Sequence, residues 1–188
     1  MRSSILIIDC GSNKVLDIEQ QLEAINITFK TEKWNSLSAG ELNNFGGIII
    51  SGAPILFTET DSKPYIKALK FLKTYKKPVL GICFGHQLLG ILHGAQVSLC
   101  EEDRNWQEIT IEQSSTLFNY IRKPYKMVED HTEEVTLPED FKLLATSKVC
   151  KNEAMQHKIK PLFGVQFHPE VSERAGLQLL KNFCKTCF

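Results

Sequence analysis

The sequence lacks an overall charge: 22 Lys and Arg offset 22 Asp and Glu over 188 residues, a formal net charge of +0. Nucleic acid and anionic membrane surfaces both reward a basic face, so neither is expected as a partner. Long apolar runs are missing too. Met1-Arg2-Ser3-Ser4 leads into Ile5-Leu6-Ile7-Ile8, but Asp9 ends that run well short of a signal-peptide core or a membrane span. No internal repeat, low-complexity stretch or linker interrupts the chain. No Gly-x-x-x-x-Gly-Lys-Ser/Thr loop offers a cradle for nucleotide phosphates. Histidine is scarce, at five residues. The rest is ordinary globular composition, 43% apolar, read as one domain over residues 1–188 that can bury a core without staples.

With no export signal, the six cysteines (Cys10, Cys83, Cys100, Cys150, Cys184 and Cys187) are expected as reduced thiols of a cytoplasmic protein. Cys184-Lys185-Thr186-Cys187 has the Cys-x-x-Cys spacing of redox and zinc sites. It lacks a second pair and a strand leading into it, so two incidental thiols at a helix end are favoured and no metal site is expected.

Along the chain, short apolar strands alternate with helical stretches. Strands are expected at Ile5–Asp9, Thr28–Trp34, Gly47–Ile50 and Pro78–Ile82, and helices at Val15–Ile25, Lys63–Tyr75 and Phe84–His93. Such alternation implies an α/β fold, an open and mostly parallel sheet with helices on both faces. Beyond Gly94 the texture changes. Gln96–Cys100, Glu108–Glu112, Tyr125–Val128 and Phe141–Ala145 read as short strands of a smaller antiparallel insertion or edge. Leu162–Phe167 restores a buried strand, and Arg174–Cys184 closes with a helix.

In Gly81-Ile82-Cys83-Phe84-Gly85 a thiol stands between two glycines where a strand gives way to a helix. Open parallel sheets bind ligands beyond the carboxyl ends of their strands, and a nucleophile elbow has this strand–nucleophile–helix order. The helix starting at Phe84 points free N–H groups at the sulfur, which favours the thiolate, and the Phe84 N–H is placed to hold a developing oxyanion. A small buried cysteine is the competing reading of this pentapeptide alone.

A nucleophile needs a base. His86 and His93 lie on the helix behind the elbow, where capping, packing or exposure suits them, and His157 sits in a charged, surface-like stretch. His168 ends an apolar strand that would deliver it to the edge of the sheet that carries Cys83. Glu170, two residues on, can turn its carboxylate back to the imidazole. Alone, His-Pro-Glu is as readily a surface turn; joined to the elbow it makes Cys83–His168–Glu170 a candidate triad, with His131 the next candidate base. Ser51-Gly52-Ala53-Pro54, at another strand's carboxyl end, can supply a second oxyanion N–H from Ala53, or be only a turn.

Pro78-Val79-Leu80-Gly81-Ile82-Cys83-Phe84-Gly85-His86-Gln87 and Gly164-Val165-Gln166-Phe167-His168-Pro169-Glu170-Val171 together resemble the class I (triad) glutamine amidotransferases over nearly the whole chain. The resemblance implies that Cys83 attacks the side-chain amide of glutamine, His168 carries the proton and Glu170 orients it. Ammonia leaves, and water releases glutamate from a thioester. Gly52, Gln87, Asp130 and His131 are the candidate substrate contacts. Within the family, the stretches His131–Phe141 and Asn152–Lys158 are similar to the subfamily that serves GMP synthase as a separate subunit. The implied partner is then an ATP-dependent synthetase, which would carry ATP and Mg²⁺; no cofactor is expected on this chain.

Some residues depart from that pattern. Asp9-Cys10-Gly11-Ser12-Asn13 replaces Asp-Phe-Gly-Ser-Gln, and Val171-Ser172-Glu173-Arg174 differs where the subfamily faces its synthetase. Ala53 stands where the turn usually has a second glycine; a left-handed backbone there would strain it, leaving the donor misaligned until a partner presses on the loop. The alternatives are a free-standing γ-glutamyl hydrolase with the same triad, and an amidotransferase for another acceptor such as anthranilate synthase. A non-catalytic binding protein on this scaffold is disfavoured by the intact triad.

Overall fold

The computed structural model describes residues 4–37 and 40–188. Met1, Arg2 and Ser3, the start of the stretch read above as too short for a leader, lie outside the described residues. In chain order the main elements are β1 (Ser4–Asp9), α1 (Val15–Ala24), β2 (Phe29–Lys33), β3 (Phe45–Ile50), α2 (Lys63–Leu69), β4 (Val79–Ile82), α3 (Phe84–Leu92) and β5 (Val97–Glu108). They continue with β6 (Thr110–Ile111), β7 (Lys126–Val135), β8 (Phe141–Thr146), β9 (Ala154–His157), β10 (Leu162–Val165) and α4 (Glu173–Cys187). An eight-stranded sheet runs in the order β2-β1-β3-β4-β10-β9-β8-β6, and β5 pairs with β7 in a separate two-stranded sheet. The five strands from β2 to β10 are parallel; β9, β8 and β6 extend the sheet antiparallel.

Alternation along the parallel strands builds two cores. Ile5, Ile7, Ile49, Leu80 and Ile82 face α1 and α4, packing with Ile18, Leu22, Leu179 and Phe183. Leu6, Ile8, Ile48, Ile50 and Val79 point the other way, towards Leu69 on α2 and Leu88, Leu89 and Leu92 on α3. Successive side chains of a strand face opposite sides, so an unbroken apolar run such as Ile5–Ile8 needs helices on both faces. The expected fold class is present. Among the described residues, no helix is long and apolar enough to cross a membrane.

The middle of the chain differs from expectation. β5 spans 12 residues and β7 spans 10, where strands ending at Cys100 and Val128 are expected. On β7 the buried positions are Met127, Glu129, His131, Glu133 and Val135, so the inward face is largely ionisable and hydrophobic alternation cannot reveal it. β9 goes unsignalled for a similar reason: Ala154-Met155-Gln156-His157 is short and half polar. His157 is buried, not at the surface, with Nε2 3.2 Å from Asp140 and Nδ1 accepting the N–H groups of Ile159 and Lys160. The expected helix over Lys63–Tyr75 is α-helical only to Leu69 and continues as a 3₁₀ turn, Lys70–Lys73.

Candidate active site

β4 and β10 lie side by side with Ile82 opposite Val165, so Cys83 and the turn leading to His168 leave the sheet at the same edge. The Cys83 N–H donates to the Val165 carbonyl at 2.8 Å, which ties the elbow to the neighbouring strand. Cys83 has φ 49° and ψ −106°, a left-handed backbone that a non-glycine residue adopts only under constraint. The glycines around it make room for the protein's own backbone. A Cβ on Gly81 would lie 2.4 Å from the Gly85 carbonyl oxygen, and one on Gly85 would lie 2.6 Å from the Ile50 oxygen. They allow α3 to start directly above the sheet, with its N-terminal N–H groups beside the sulfur.

His168 is held from several sides. Its N–H donates to the Val128 carbonyl at 2.8 Å, and its own carbonyl accepts the Ser172 hydroxyl at 2.6 Å. Ser172 Oγ in turn accepts the Val128 N–H at 2.9 Å. Nδ1 lies 2.7 Å from Glu170 Oε1. Because the carboxylate can only accept, Nδ1 carries the proton and Nε2 is left for Cys83. Burial disfavours charge on this ring, but the Glu170 carboxylate and the nearby Cys83 sulfur outweigh that, and the His168 pKa stands well above the usual imidazole value. Gln166 Nε2 approaches the Cys83 sulfur at 3.7 Å. α4 presses against this turn so closely that a Cβ on Gly176 would meet the Pro169 oxygen at 1.7 Å.

Cys83 opens into a cavity of about 220 Å³, whose walls include Ala53, Phe84, Gln87, Asp130, His131 and Glu133. A larger hollow of about 730 Å³ lies elsewhere, beside Ile109–Ile111 and Tyr125, and includes none of the candidate triad. The smaller cavity joins Cys83 to Ala53, Phe84, Gln87, Asp130 and His131 of the expected residues, with His168, Glu170 and Gly52 outside its lining. The Ser51–Pro54 turn is fixed by Ser51, whose hydroxyl accepts the Cys10 N–H at 2.9 Å and donates to the Gly52 carbonyl at 2.8 Å. Gly52 stands against His168: a Cβ there would lie 3.4 Å from Cε1. Ala53 is not among the residues with positive φ, which among the described residues are Asn26, Cys83, Asn105, Tyr120 and Glu173 besides glycines. The expected strain at Ala53 is therefore absent; the backbone stress falls on Cys83 instead.

The candidate substrate contacts divide. The Gln87 Nε2 donates to the Glu133 carbonyl at 2.9 Å and to Gln166 Oε1 at 3.1 Å, so it braces the wall. Asp130 sits between Lys14, 2.8 Å from Oδ2, and Arg104. Burial raises its pKa, but these two cations outweigh burial and hold the carboxyl below the usual range. His131 lines the cavity, yet its ring nitrogens meet protein groups: Nδ1 is 3.1 Å from the Glu133 carbonyl, and Nε2 is 3.4 Å from Glu129. The imidazole whose charge responds to the Cys83 sulfur is that of His168, while Sγ itself faces the Asp130 carbonyl at 3.9 Å.

Three contributors escaped sequence reasoning. Gln166 could have been found as the lone polar residue in an apolar strand. Glu133, whose carboxylate accepts the N–H groups of Phe57 and Thr58 at 2.8 Å each and the Thr58 hydroxyl at 2.6 Å, pins the loop that walls the cavity. It sits in a strand that charged residues disguise. Arg104 carries no signal in the sequence.

Comparison with known proteins agrees with this geometry. The glutamine-hydrolyzing GMP synthase subunit of Methanocaldococcus jannaschii is 36% identical over 188 residues, 97% of each chain. The protein of the same name from Pyrococcus abyssi is 36% identical, over 97% of this chain and 98% of its own. A solved structure from Thermoplasma acidophilum, assigned to the same GMP synthase subunit, superposes with a TM-score of 0.90 at 25% identity, covering 98% of this chain and 94% of that one. The model of the family described as glutamine amidotransferase class-I matches residues 6–187, and the chain belongs to that family.

Proposed function

We propose that this chain hydrolyses glutamine and delivers the ammonia to a separate synthetase, the two together making GMP from xanthosine 5′-monophosphate. The observation that carries the reading is the meeting of Cys83, His168 and Glu170 at the ends of β4 and β10, with Cys83 opening into one small cavity. In the reaction the thiol proton passes to His168 Nε2 ahead of the attack, as the raised pKa of that ring favours, and Cys83 Sγ then attacks the amide carbon of glutamine. The tetrahedral oxyanion is held by the Phe84 N–H, with the Ala53 N–H as the second donor. His168 then protonates the leaving nitrogen, ammonia departs, and a γ-glutamyl thioester remains on Cys83. Water, deprotonated by His168, attacks the thioester; glutamate leaves and the thiol regains its proton. Glu170 keeps Nδ1 protonated and stabilises the imidazolium that forms twice per cycle.

The size of the cavity favours a free amino acid over a peptide, since drug-sized ligands occupy about 300–1,000 Å³. Arg104 and Asp130 bring opposite charges to its walls, matching the carboxylate and ammonium of glutamine. ATP and Mg²⁺ belong to the synthetase in this reading, and the site of action is the cytosol, where thiols stay reduced. The names of the relatives support the acceptor. The test is a glutaminase assay on the pure chain, repeated with a candidate synthetase, ATP and xanthosine 5′-monophosphate. GMP formation dependent on both chains is expected. Rapid cleavage of γ-glutamyl peptides, in preference to glutamine and indifferent to any synthetase, would replace this reading with a free-standing hydrolase.

A further inference from the structure

Behind the His168 turn, the two-stranded sheet meets the edge of the large one through a knot of ionisable side chains. Asp103 on β5 is paired in register with His131 on β7, Glu129 lies two residues earlier on the same face of β7, and Glu153 directly precedes β9. Asp103, Glu129 and Glu153 are at most 1% exposed, and His131 is 6% exposed. All six of their carboxylate oxygens, and His131 Nε2, lack a hydrogen-bond partner. One donor atom each from Asp103, His131 and Glu153 lie within 4.8 Å of one another, and Glu129 Oε2 is 3.4 Å from His131 Nε2.

The imidazole makes this more than an acidic cluster. Its Nδ1 faces the Glu133 carbonyl at 3.1 Å, which can only accept, and the Cys100 sulfur at 3.7 Å, which can accept as well; the nearer carbonyl places the proton on Nδ1, and the Nε2 lone pair points into the carboxylates. Lone pairs facing lone pairs in a dry interior are costly. Two remedies exist, protons or a cation. Burial does push the Glu129 carboxyl up to about 8 and that of Glu153 well above its usual value, so some protons can be shared. Protons shared in pairs can engage most of the seven unpartnered atoms, but only with several of the carboxyls held neutral at once. A single cation engages an atom of all four residues at once.

We propose that Asp103, Glu129, His131 and Glu153 form a closed site for one divalent cation of the Mn²⁺ or Zn²⁺ class. Three carboxylates and one imidazole match those ions, and no thiolate of the kind that copper(I) or iron–sulfur clusters need is in the set. Bonds of about 2.0–2.2 Å require the present spacing to contract by roughly an ångström, within the reach of side-chain rotation. A Nδ1–H donated to a main-chain carbonyl is the usual support of a metal-bound histidine. The ion would touch no substrate. It would clamp β5 and β7, and with them Arg104 and Asp130, to the sheet that carries His168. The inference does not depend on the reaction proposed above. By contrast, Asp140 accepts from both His93, at 2.6 Å, and His157, at 3.2 Å, so that second cluster already has hydrogens between its polar atoms.

The experiment uses untagged protein stripped with a chelator, titrated with Mn²⁺ and with Zn²⁺ by calorimetry, with parallel thermal melts. One ion per chain is expected, with a Tm rise of roughly 5 °C or more at a hundredfold excess over Kd. Both effects should vanish in the Asp103→Asn/Glu153→Gln double variant. Failure of the folded wild type to take up either ion overturns the proposal and leaves shared protons as the answer. Undiminished binding by a folded double variant overturns it too, by placing the ion elsewhere. Should that variant not fold, Co²⁺ in the wild type decides: weak ligand-field bands from one ion per chain support the site, and a sulfur-to-cobalt charge-transfer band overturns it.

Discussion

Cys83 is both the proposed carrier of the reactive atom and the strained residue at the sheet's edge, and the two roles separate by substitution. Cys83→Ala is expected to abolish glutamine hydrolysis while leaving the thermal melt nearly unchanged, since the backbone constraint stays. Cys83→Gly should be equally inactive and no less stable, because glycine accepts φ 49° freely. His168→Ala should be almost as damaging in kcat as Cys83→Ala, whereas Glu170→Gln keeps more activity. The raised His168 pKa also has a signature in stability. The charged ring contributes in full below about pH 6.5, the unfolded value, and its contribution is lost as pH rises through the folded one. Urea unfolding should therefore show the gap between wild type and Glu170→Gln shrinking towards alkaline pH. His86 works in the opposite direction. Burial lowers its pKa to about 3, so the folded protein keeps it neutral while the unfolded chain protonates below about pH 6.5. The stability tied to that neutral ring is present above pH 6.5 and lost as pH falls. His86→Gln should flatten the slope between pH 6.5 and 4 by about 3 kcal/mol.

At the scale of elements, what is legible in the sequence depends on whether the inward face is apolar. β1, β3, β4 and β10 announce themselves because both of their faces are buried hydrocarbon. The elbow and the His168 turn can be placed because each follows such a strand. The reading of β7 stops short at Val128 because Glu129, His131 and Glu133 occupy its buried positions, and a pattern of apolar residues cannot show a polar interior. The strain expected at Ala53 is absent because sequence shows which residue replaces a glycine, not which dihedral angle the position adopts. The packing of α4 on the His168 turn gives a sharp test. Gly176→Ala would drive a Cβ into the Pro169 oxygen, 1.7 Å away, and backbone must move. A loss of several kcal/mol is expected in chemical unfolding, well beyond the about 1–3 kcal/mol of ordinary overpacking, with kcat falling because His168 shifts. A drop in stability with kcat intact would mean that the turn is not set by α4.

For the whole molecule, the proposed division of labour predicts coupling. A chain that releases ammonia wastes glutamine when no acceptor waits, so adding its synthetase and nucleotides should raise the glutaminase rate at least about tenfold, or about 1.4 kcal/mol of barrier. With Ala53 unstrained, the part free to respond is the wall formed by β5, β7 and the loop that Glu133 pins, and Glu133→Gln should blunt the activation more than it lowers the basal rate. The pairing of β4 with β10 has one more consequence. These neighbours in space are about eighty residues apart in sequence, so on a ribosome the thiol emerges long before its base. Until the last strand slots in beside the elbow, the nascent chain carries a cysteine with no histidine partner. Turnover of glutamine is thus a report that β10 has docked and the sheet has closed, and a polypeptide stalled before His168 stays chemically silent.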